Sequence, residues 1–148
     1  MTPQQLELVQ ASWEKVVPIA KQAADLFYGR LFEINPALRS MFSSDIEAQG
    51  KKLMQILTTV VRSLKQFDKV EIAVWQLGRR HHVYGVKKAD FDSVASALLW
   101  TLQQGLQQVY TSEVEEAWVA AYTVLAGIMQ AGADYPYANF DKWKAEQV

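Results

Sequence analysis

The two histidines of the chain, His81 and His82, are adjacent, and they are its strongest candidates for metal chemistry. Neighbouring residues on a helix point about 100° apart, so the pair cannot bind one metal ion from the same side. Leu77 precedes His81 by one turn and gives that histidine an apolar neighbour. A single histidine on such a face, directed into a slot between helices, is how one axial haem ligand is presented. The alternative is that both histidines belong to a solvated polar run.

Composition excludes several other classes of site. The chain has no cysteine, which excludes disulfides, zinc ribbons, iron–sulfur clusters and thiol catalysis. Fifteen basic and sixteen acidic residues give a net charge of −1, which argues against a nucleic-acid partner. The first ten residues lack the layout of a signal peptide, and the most apolar stretch, residues 118–129, is too short to span a bilayer. We therefore expect one cytoplasmic domain with no membrane partner.

The elements that position the histidines are predicted to be helices throughout. Apolar residues recur at a spacing of three to four along most of the chain, and no segment shows the sustained alternation of a strand. The pattern predicts an all-α domain of about seven helices, at residues 2–18, 20–35, 36–42, 45–66, 69–83, 90–109 and 112–132. Such uneven lengths argue against an up-down four-helix bundle.

Local signals predict where several of these helices begin and end. Capped or proline-marked starts are expected at Thr2-Pro3 with Gln5, Asn35-Pro36, Ser44 with Glu47, Asp90, and Ser112 with Glu115. Pro18 should end or kink the first helix. Gly29 in mid-helix costs about 1 kcal/mol relative to alanine, and a close crossing by the long helix at residues 45–66 would explain it.

The final sixteen residues, 133–148, lose the helical period. They contain four aromatic residues, Tyr135, Tyr137, Phe140 and Trp143. Four aromatics are too many for a freely solvated end. We predict that this tail packs on the domain formed by residues 1–132 or at a subunit contact.

Five stretches of the sequence resemble the globin family, in particular the single-domain haemoglobins of bacteria and the globin half of flavohaemoglobins. They are LFYGRLF (residues 26–32), NPALRSMF (35–42), QGKKLM (49–54), LGRRH (77–81) and AWVAAY (117–122). The resemblance covers about residues 2–132 and implies a globin fold of seven to eight helices around a haem pocket. The haem is expected to be haem b held without a covalent bond, because the chain has no Cys-x-x-Cys-His.

The resemblance also assigns roles to individual residues. It implies that His81 binds the haem iron and that its other ring nitrogen donates to a backbone carbonyl near Leu77. Tyr28 and Gln49 match polar positions on the opposite, distal side of the haem; for Tyr28, the alternative is a buried tyrosine with another acceptor. The residues that the resemblance places against the haem are Phe42, Leu53, Val86, Val94 and Leu98.

Tyr28 and Gln49 also have a physical case of their own. Bound oxygen carries negative charge, so a neutral hydrogen-bond donor stabilises it by on the order of 1 kcal/mol, and more in a dry pocket. Two such donors predict high oxygen affinity and slow release. Lys52 and Arg80 are predicted to neutralise the haem propionates, with ordinary solvated surface as the alternative.

Two positions depart from the flavohaemoglobin pattern, in which a tyrosine and a glutamate hydrogen-bond the histidine. Phe91 stands ten residues after His81, and Asp134 is the nearest carboxylate at the end of the last helix. No GxGxxG sequence is present, so turnover would need a separate reductase. We therefore predict reversible binding of oxygen, and of CO and NO. The alternatives are a nitric oxide dioxygenase or nitrite reductase served by that reductase and, after these, a gas sensor.

Overall fold

The computed structural model of the chain describes residues 1–42 and 45–147. These ranges contain no strand and seven α-helices, namely α1 (Pro3–Val16), α2 (Ala20–Ile34), α3 (Ile46–Arg62), α4 (Glu71–Val83), α5 (Lys88–Leu106), α6 (Ser112–Asp134) and α7 (Phe140–Ala145). Short 3₁₀ helices lie between them at Val17–Ile19, Pro36–Met41, Leu64–Lys69 and Gln107–Val109. The prediction of an all-α fold is confirmed. Over the same ranges, none of the helices has the length and apolarity needed to cross a membrane.

The capping signals at the starts of α1 and α6 act largely as predicted. The Thr2 hydroxyl accepts from the backbone N–H of Gln5 at 3.1 Å, and the Gln5 side chain accepts from the backbone N–H of Thr2 at 3.0 Å. At α6 the cap is Thr111 and not Ser112, since the Thr111 hydroxyl accepts from the backbone N–H of Val114 at 3.2 Å. The prediction for α6 was therefore wrong by one residue.

The starts of α3 and α5 also differ from the prediction. Asp45 caps α3 by accepting from the backbone N–H of Glu47 at 3.0 Å, while Ser44, the predicted cap, lies outside the described residues. Asp90 does not cap α5 from outside, because it is the third residue of that helix and accepts from the backbone N–H of Lys87 at 2.8 Å. The helix accordingly begins two residues earlier than predicted.

Helix ends depend on backbone conformation that the apolar spacing does not reveal. α1 ends at Val16, and Pro18, which has no backbone N–H to continue that helix, lies in the 3₁₀ helix that follows. The long helix predicted at residues 45–66 stops at Arg62, yet the buried Leu64 continues its apolar spacing into the next 3₁₀ helix. α5 stops at Leu106 because Gln107 has a φ of 52°.

The core lies between α1, α2, α5 and α6. Trp13 and Trp118 meet there with ring centroids 5.7 Å apart. Both indole N–H groups have acceptors: Trp118 donates to the Ser12 hydroxyl at 2.9 Å, and Trp13 donates to the Thr58 hydroxyl at 3.0 Å. These bonds fix two large side chains and join α1 to α6 and to α3, the helix that carries Gln49 and Leu53.

Glycines mark two close helix crossings. At the crossing of α2 and α3, a Cβ atom on Gly50 would lie 3.0 Å from the Cβ atom of Ala24, whereas nothing lies within 4 Å of the corresponding position on Gly29. The predicted role of Gly29 was therefore wrong, because that residue faces away from α3. At the crossing of α4 and α6, a Cβ atom on Gly78 or Gly132 would overlap the backbone of the other helix.

Candidate haem site

His81 lies near the end of α4, and its ring is oriented by its own helix. Its Nδ1 atom is 2.8 Å from the carbonyl oxygen of Leu77. Because a carbonyl only accepts, Nδ1 carries the proton and the Nε2 lone pair is left for a metal. Burial lowers the pKa of His81 and the charge of Arg80 lowers it further, against the opposing effect of the Leu77 carbonyl. The imidazole is therefore neutral near pH 7, the form that binds a metal, whereas His82 is exposed.

Tyr28 is buried in α2, with only 4% of its surface exposed. Its ring meets the ring of Phe42 edge to face, with centroids 5.3 Å apart, and the ring of Phe32 at 6.0 Å. Burial raises the pKa of Tyr28 to about 12, and the nearby Gln49 side chain acts in the opposite direction. The phenol therefore stays protonated and can donate a hydrogen bond. The structure thus brings together three of the predicted residues, Tyr28, Phe42 and Gln49.

Gln49 and Leu53 lie one turn apart on α3. Gln49 is exposed, whereas Leu53 is half-buried and packs against the core. α3 packs closely on α2, but α3 and α4 are not a closely packed pair in the part of the chain that the structure describes. A ligand that lies between α3 and α4 requires that these two helices are not packed closely against each other.

The other predicted contact residues differ in burial. Leu98 is in the hydrophobic core with 7% of its surface exposed, and Val94 is half-buried against that core. Val86 is half-buried in the connection between α4 and α5, where its backbone N–H donates to the carbonyl of His81 at 3.0 Å. Lys52 and Arg80 are exposed. Both charged groups are therefore in contact with water, as expected of groups at the edge of the candidate site.

Phe91 and Asp134 make other contacts than the proximal partners expected in flavohaemoglobins. The carbonyl of Phe91 accepts from the Tyr122 hydroxyl at 2.6 Å. The Asp134 carboxylate pairs with the Lys88 ammonium at 3.5 Å, and both side chains are exposed. The hydrogen-bond partner of His81 is thus a neutral carbonyl and not a carboxylate.

Two residues that contribute to this site were not identified as site residues from the motifs in the sequence. Phe32 completes the aromatic group around Tyr28, since its ring also lies 5.6 Å from that of Phe42. Its position four residues after Tyr28 places it on the same face of α2, which was a usable signal. Gly78 lies three residues before His81 and allows α4 to reach α6. Nothing in the local sequence indicates which helix it would meet.

The donor set fits a haem better than a metal ion held by protein ligands alone. Among the described residues, no cluster of three or more histidines and carboxylates is arranged to bind a metal ion. The site offers instead one neutral imidazole on α4, apolar side chains on α3 and α5, and a protonated phenol on α2. One neutral imidazole from the protein, with apolar side chains and a polar donor on other helices, is the set of residues that a haem site uses.

The chain is similar in sequence and in fold to known proteins. The chain is 28% identical over 146 residues to neuroglobin-1 of Oncorhynchus mykiss, across 89% of this chain and 92% of that one. It is 31% identical to an anaerobic nitrite reductase of Brassica napus, across 88% and 90% of the two chains. Its fold matches, with a TM-score of 0.82 and 25% identity, an engineered carbene transferase described as a putative nitric oxide dioxygenase from Rhodothermus marinus, over 90% and 93% of the two chains.

A sequence profile of one family, described as Globin, matches residues 25–129. The matched segment runs from α2 to α6 and includes Tyr28, Gln49 and His81. Membership implies haem binding. This chain belongs to the globin family.

Proposed function

We propose that this globin holds one haem b through His81 and binds oxygen reversibly. The observation that carries the proposal is the 2.8 Å hydrogen bond between His81 Nδ1 and the Leu77 carbonyl, because it fixes the tautomer and leaves Nε2 as the ligand. A haem bound there supplies an iron atom to which oxygen, CO or NO can bind. The chain has no cysteine, so the attachment is not covalent.

The apolar residues around this position hold the porphyrin and exclude water. In the proposal, five residues have this role. Four of them lie on or beside the hydrophobic core, namely Phe42, Leu53, Val94 and Leu98, and the fifth is Val86. Lys52 and Arg80 are exposed and neutralise the two propionates at the edge of the site.

Tyr28 and Gln49 are proposed to donate hydrogen bonds to the bound gas. Burial raises the pKa of Tyr28 to about 12, so its hydroxyl keeps its proton at any physiological pH. Each neutral donor contributes on the order of 1 kcal/mol, and a dry, apolar surrounding increases the effect. Such a pair supports high oxygen affinity and slow release.

Within the family we assign the chain to the single-domain type found in bacteria. The likeness to the Rhodothermus marinus structure supports this assignment. The chain is also 28% identical to Oncorhynchus mykiss neuroglobin-1 and 31% identical to the Brassica napus protein.

A second candidate is a nitric oxide dioxygenase or nitrite reductase that works with a separate reductase. The names of the Brassica napus relative and the Rhodothermus marinus protein favour it. The neutral Leu77 carbonyl as the partner of His81 weighs against it, because an anionic partner would supply more electron density to the iron. Sustained consumption of NO or nitrite with a cellular reductase and its electron donor would establish the enzyme, whereas a single stoichiometric reaction would not.

The matched pair His81→Ala and His82→Ala tests the proposed ligand. Both changes remove an imidazole from α4, but only His81 is half-buried and bonded to Leu77. Visible spectra of the oxidised, reduced and CO-treated proteins should show haem in the wild type and in His82→Ala, with little or none retained by His81→Ala. The reverse result for the two variants would show that the assignment is wrong by one position.

A further inference from the structure

The C-terminal segment, residues 135–147, folds back on α4, the helix that carries His81. Trp75 of α4 is fully buried. Its ring lies 6.2 Å from that of Tyr135, 5.7 Å from that of Phe140 and 6.0 Å from that of Trp143, measured between centroids. Trp143, on α7, has only 8% of its surface exposed. We call these four side chains the aromatic clasp.

Polar contacts fasten the same segment at both ends of α4. The Lys144 ammonium lies 2.8 Å from the carboxylate of Glu71, whose side chain is only 13% exposed. Near the other end, the Arg79 guanidinium donates to the carbonyl of Tyr135 at 2.6 Å and to that of Gly132, on α6, at 3.0 Å. The contact therefore extends along most of α4.

The aromatic clasp holds a face of α4 that is different from the face of the histidine. Glu71, Trp75 and Arg79 are four residues apart and lie on one side of the helix. His81 follows Trp75 by six residues, which places it about 120° around the helix axis. The segment can therefore fix the position of α4 without touching the imidazole.

α4 depends on such packing because it is short and its start has no side-chain cap. It has thirteen residues, and no side chain caps its start at Val70. A helix of this length is only marginally stable without tertiary contacts. The Trp75 indole N–H is buried without a hydrogen-bond partner among the described residues, so ring packing and not hydrogen bonding holds that side chain in place.

We propose that the C-terminal segment is a positioning device for His81, in which α7 fixes α4 and so sets the direction of the imidazole toward the haem. Trp143 is its main positioning residue, because it is buried against Trp75, whereas Phe140, the other α7 residue of the aromatic clasp, is only half-buried. This inference rests on the proposed function for the haem contact of His81. The effect of the segment on α4 itself does not depend on haem.

Trp143→Ala tests the proposal, with Tyr137→Ala as the matched control. Tyr137 is an aromatic of the same segment, but it is 54% exposed and its ring contacts are with Tyr135 and Lys142, not with Trp75. In the full-length apoprotein, hydrogen exchange of the α4 amides should accelerate about tenfold in Trp143→Ala, with little change in α1 and α5. In the haem protein, haem transfer to an acceptor apoglobin should accelerate, and the iron–histidine stretching band should shift. Tyr137→Ala should match the wild type in all three measurements.

A conservative variant separates positioning from general stability. Trp143→Phe keeps a ring against Trp75 and should restore most of the wild-type exchange, haem retention and stretching band. If Trp143→Ala fails to fold, Lys144→Met, which removes only the ion pair with Glu71, should accelerate exchange in α4 selectively. Acceleration spread equally over all helices, or an unchanged iron–histidine band with faster exchange, would overturn the proposal. A wild type that takes up no haem contradicts the proposed function, and the exchange of α4 in the apoprotein then decides whether the segment fixes that helix.

Discussion

Gly78 of α4 packs so closely on Met129 of α6 that a Cβ atom on the glycine would overlap the Met129 carbonyl oxygen. Gly132 makes the reciprocal contact with the backbone of Trp75. The two helices therefore cross backbone against backbone three residues before His81. The position of the candidate iron ligand depends on the absence of two side chains.

Gly78→Ala should therefore separate α4 from α6. Overpacking of this kind costs about 1–3 kcal/mol, and the atoms that must move are backbone atoms, so we expect the upper part of that range in the free energy of unfolding measured with urea. Gly127→Ala is the control, because nothing lies within 4 Å of the Cβ position on Gly127, and alanine there should stabilise α6 by up to about 1 kcal/mol. Equal effects of the two variants would contradict the close crossing.

Tyr28→Phe should accelerate oxygen dissociation by about tenfold, since it removes one hydrogen bond of about 1–1.5 kcal/mol from the oxygen-bound form only. Phenylalanine keeps the ring contacts with Phe42 and Phe32. The control is Tyr122→Phe, which removes a hydroxyl that donates to the Phe91 carbonyl at 2.6 Å, so it should alter stability more than release. Stopped-flow measurement gives the oxygen dissociation rate of each variant. An unchanged rate in Tyr28→Phe would leave Gln49 as the single donor.

The apoprotein should lose stability as the pH falls below about 6.5, the usual pKa of histidine, because burial lowers the pKa of His81 in the folded state. Between the lowered pKa and the unfolded value, the unfolded chain binds more protons, so the free energy of unfolding rises with pH across that window. Urea denaturation of the apoprotein at pH 7 and pH 5.5 measures the difference. It should be smaller in His81→Leu than in the wild type, and it should be unchanged in His82→Leu, whose side chain is exposed. An equal loss in wild type and His81→Leu would show that His81 does not carry it.

The helices could be predicted from the sequence because apolar spacing and capping residues are local signals. Thr2 and Gln5 act within four residues of one another, and Pro18 dictates its own backbone conformation. The predicted helix ends were wrong where the backbone leaves the α-helical conformation but the apolar side chains remain buried. Leu64 is buried beyond the end of α3, so its apolar spacing carried the predicted helix four residues too far.

Contacts between distant helices could not be predicted in the same way. Gly29 and Gly50 look alike in the sequence, yet only Gly50 meets another helix, because that depends on how α2 and α3 cross. The aromatic residues of the tail signal that it packs on something, but not that Trp75 is what they meet. The Leu77 carbonyl is the exception at the site, since it lies one turn before His81 and the helix itself supplies it.

The ferrous protein without added gas should be five-coordinate and high-spin, with one axial position open to a diatomic ligand. Both histidines of the chain are on α4, so His82 cannot reach the opposite face of a haem held by His81. The raised pKa of Tyr28, about 12, keeps its oxygen protonated and hence a weak ligand. Lys52 is exposed and would have to lose its proton to bind iron, and the amide of Gln49 is a poor ligand for ferrous haem. Visible and resonance Raman spectra of the reduced protein test this expectation, and a low-spin spectrum with two axial protein ligands would refute it.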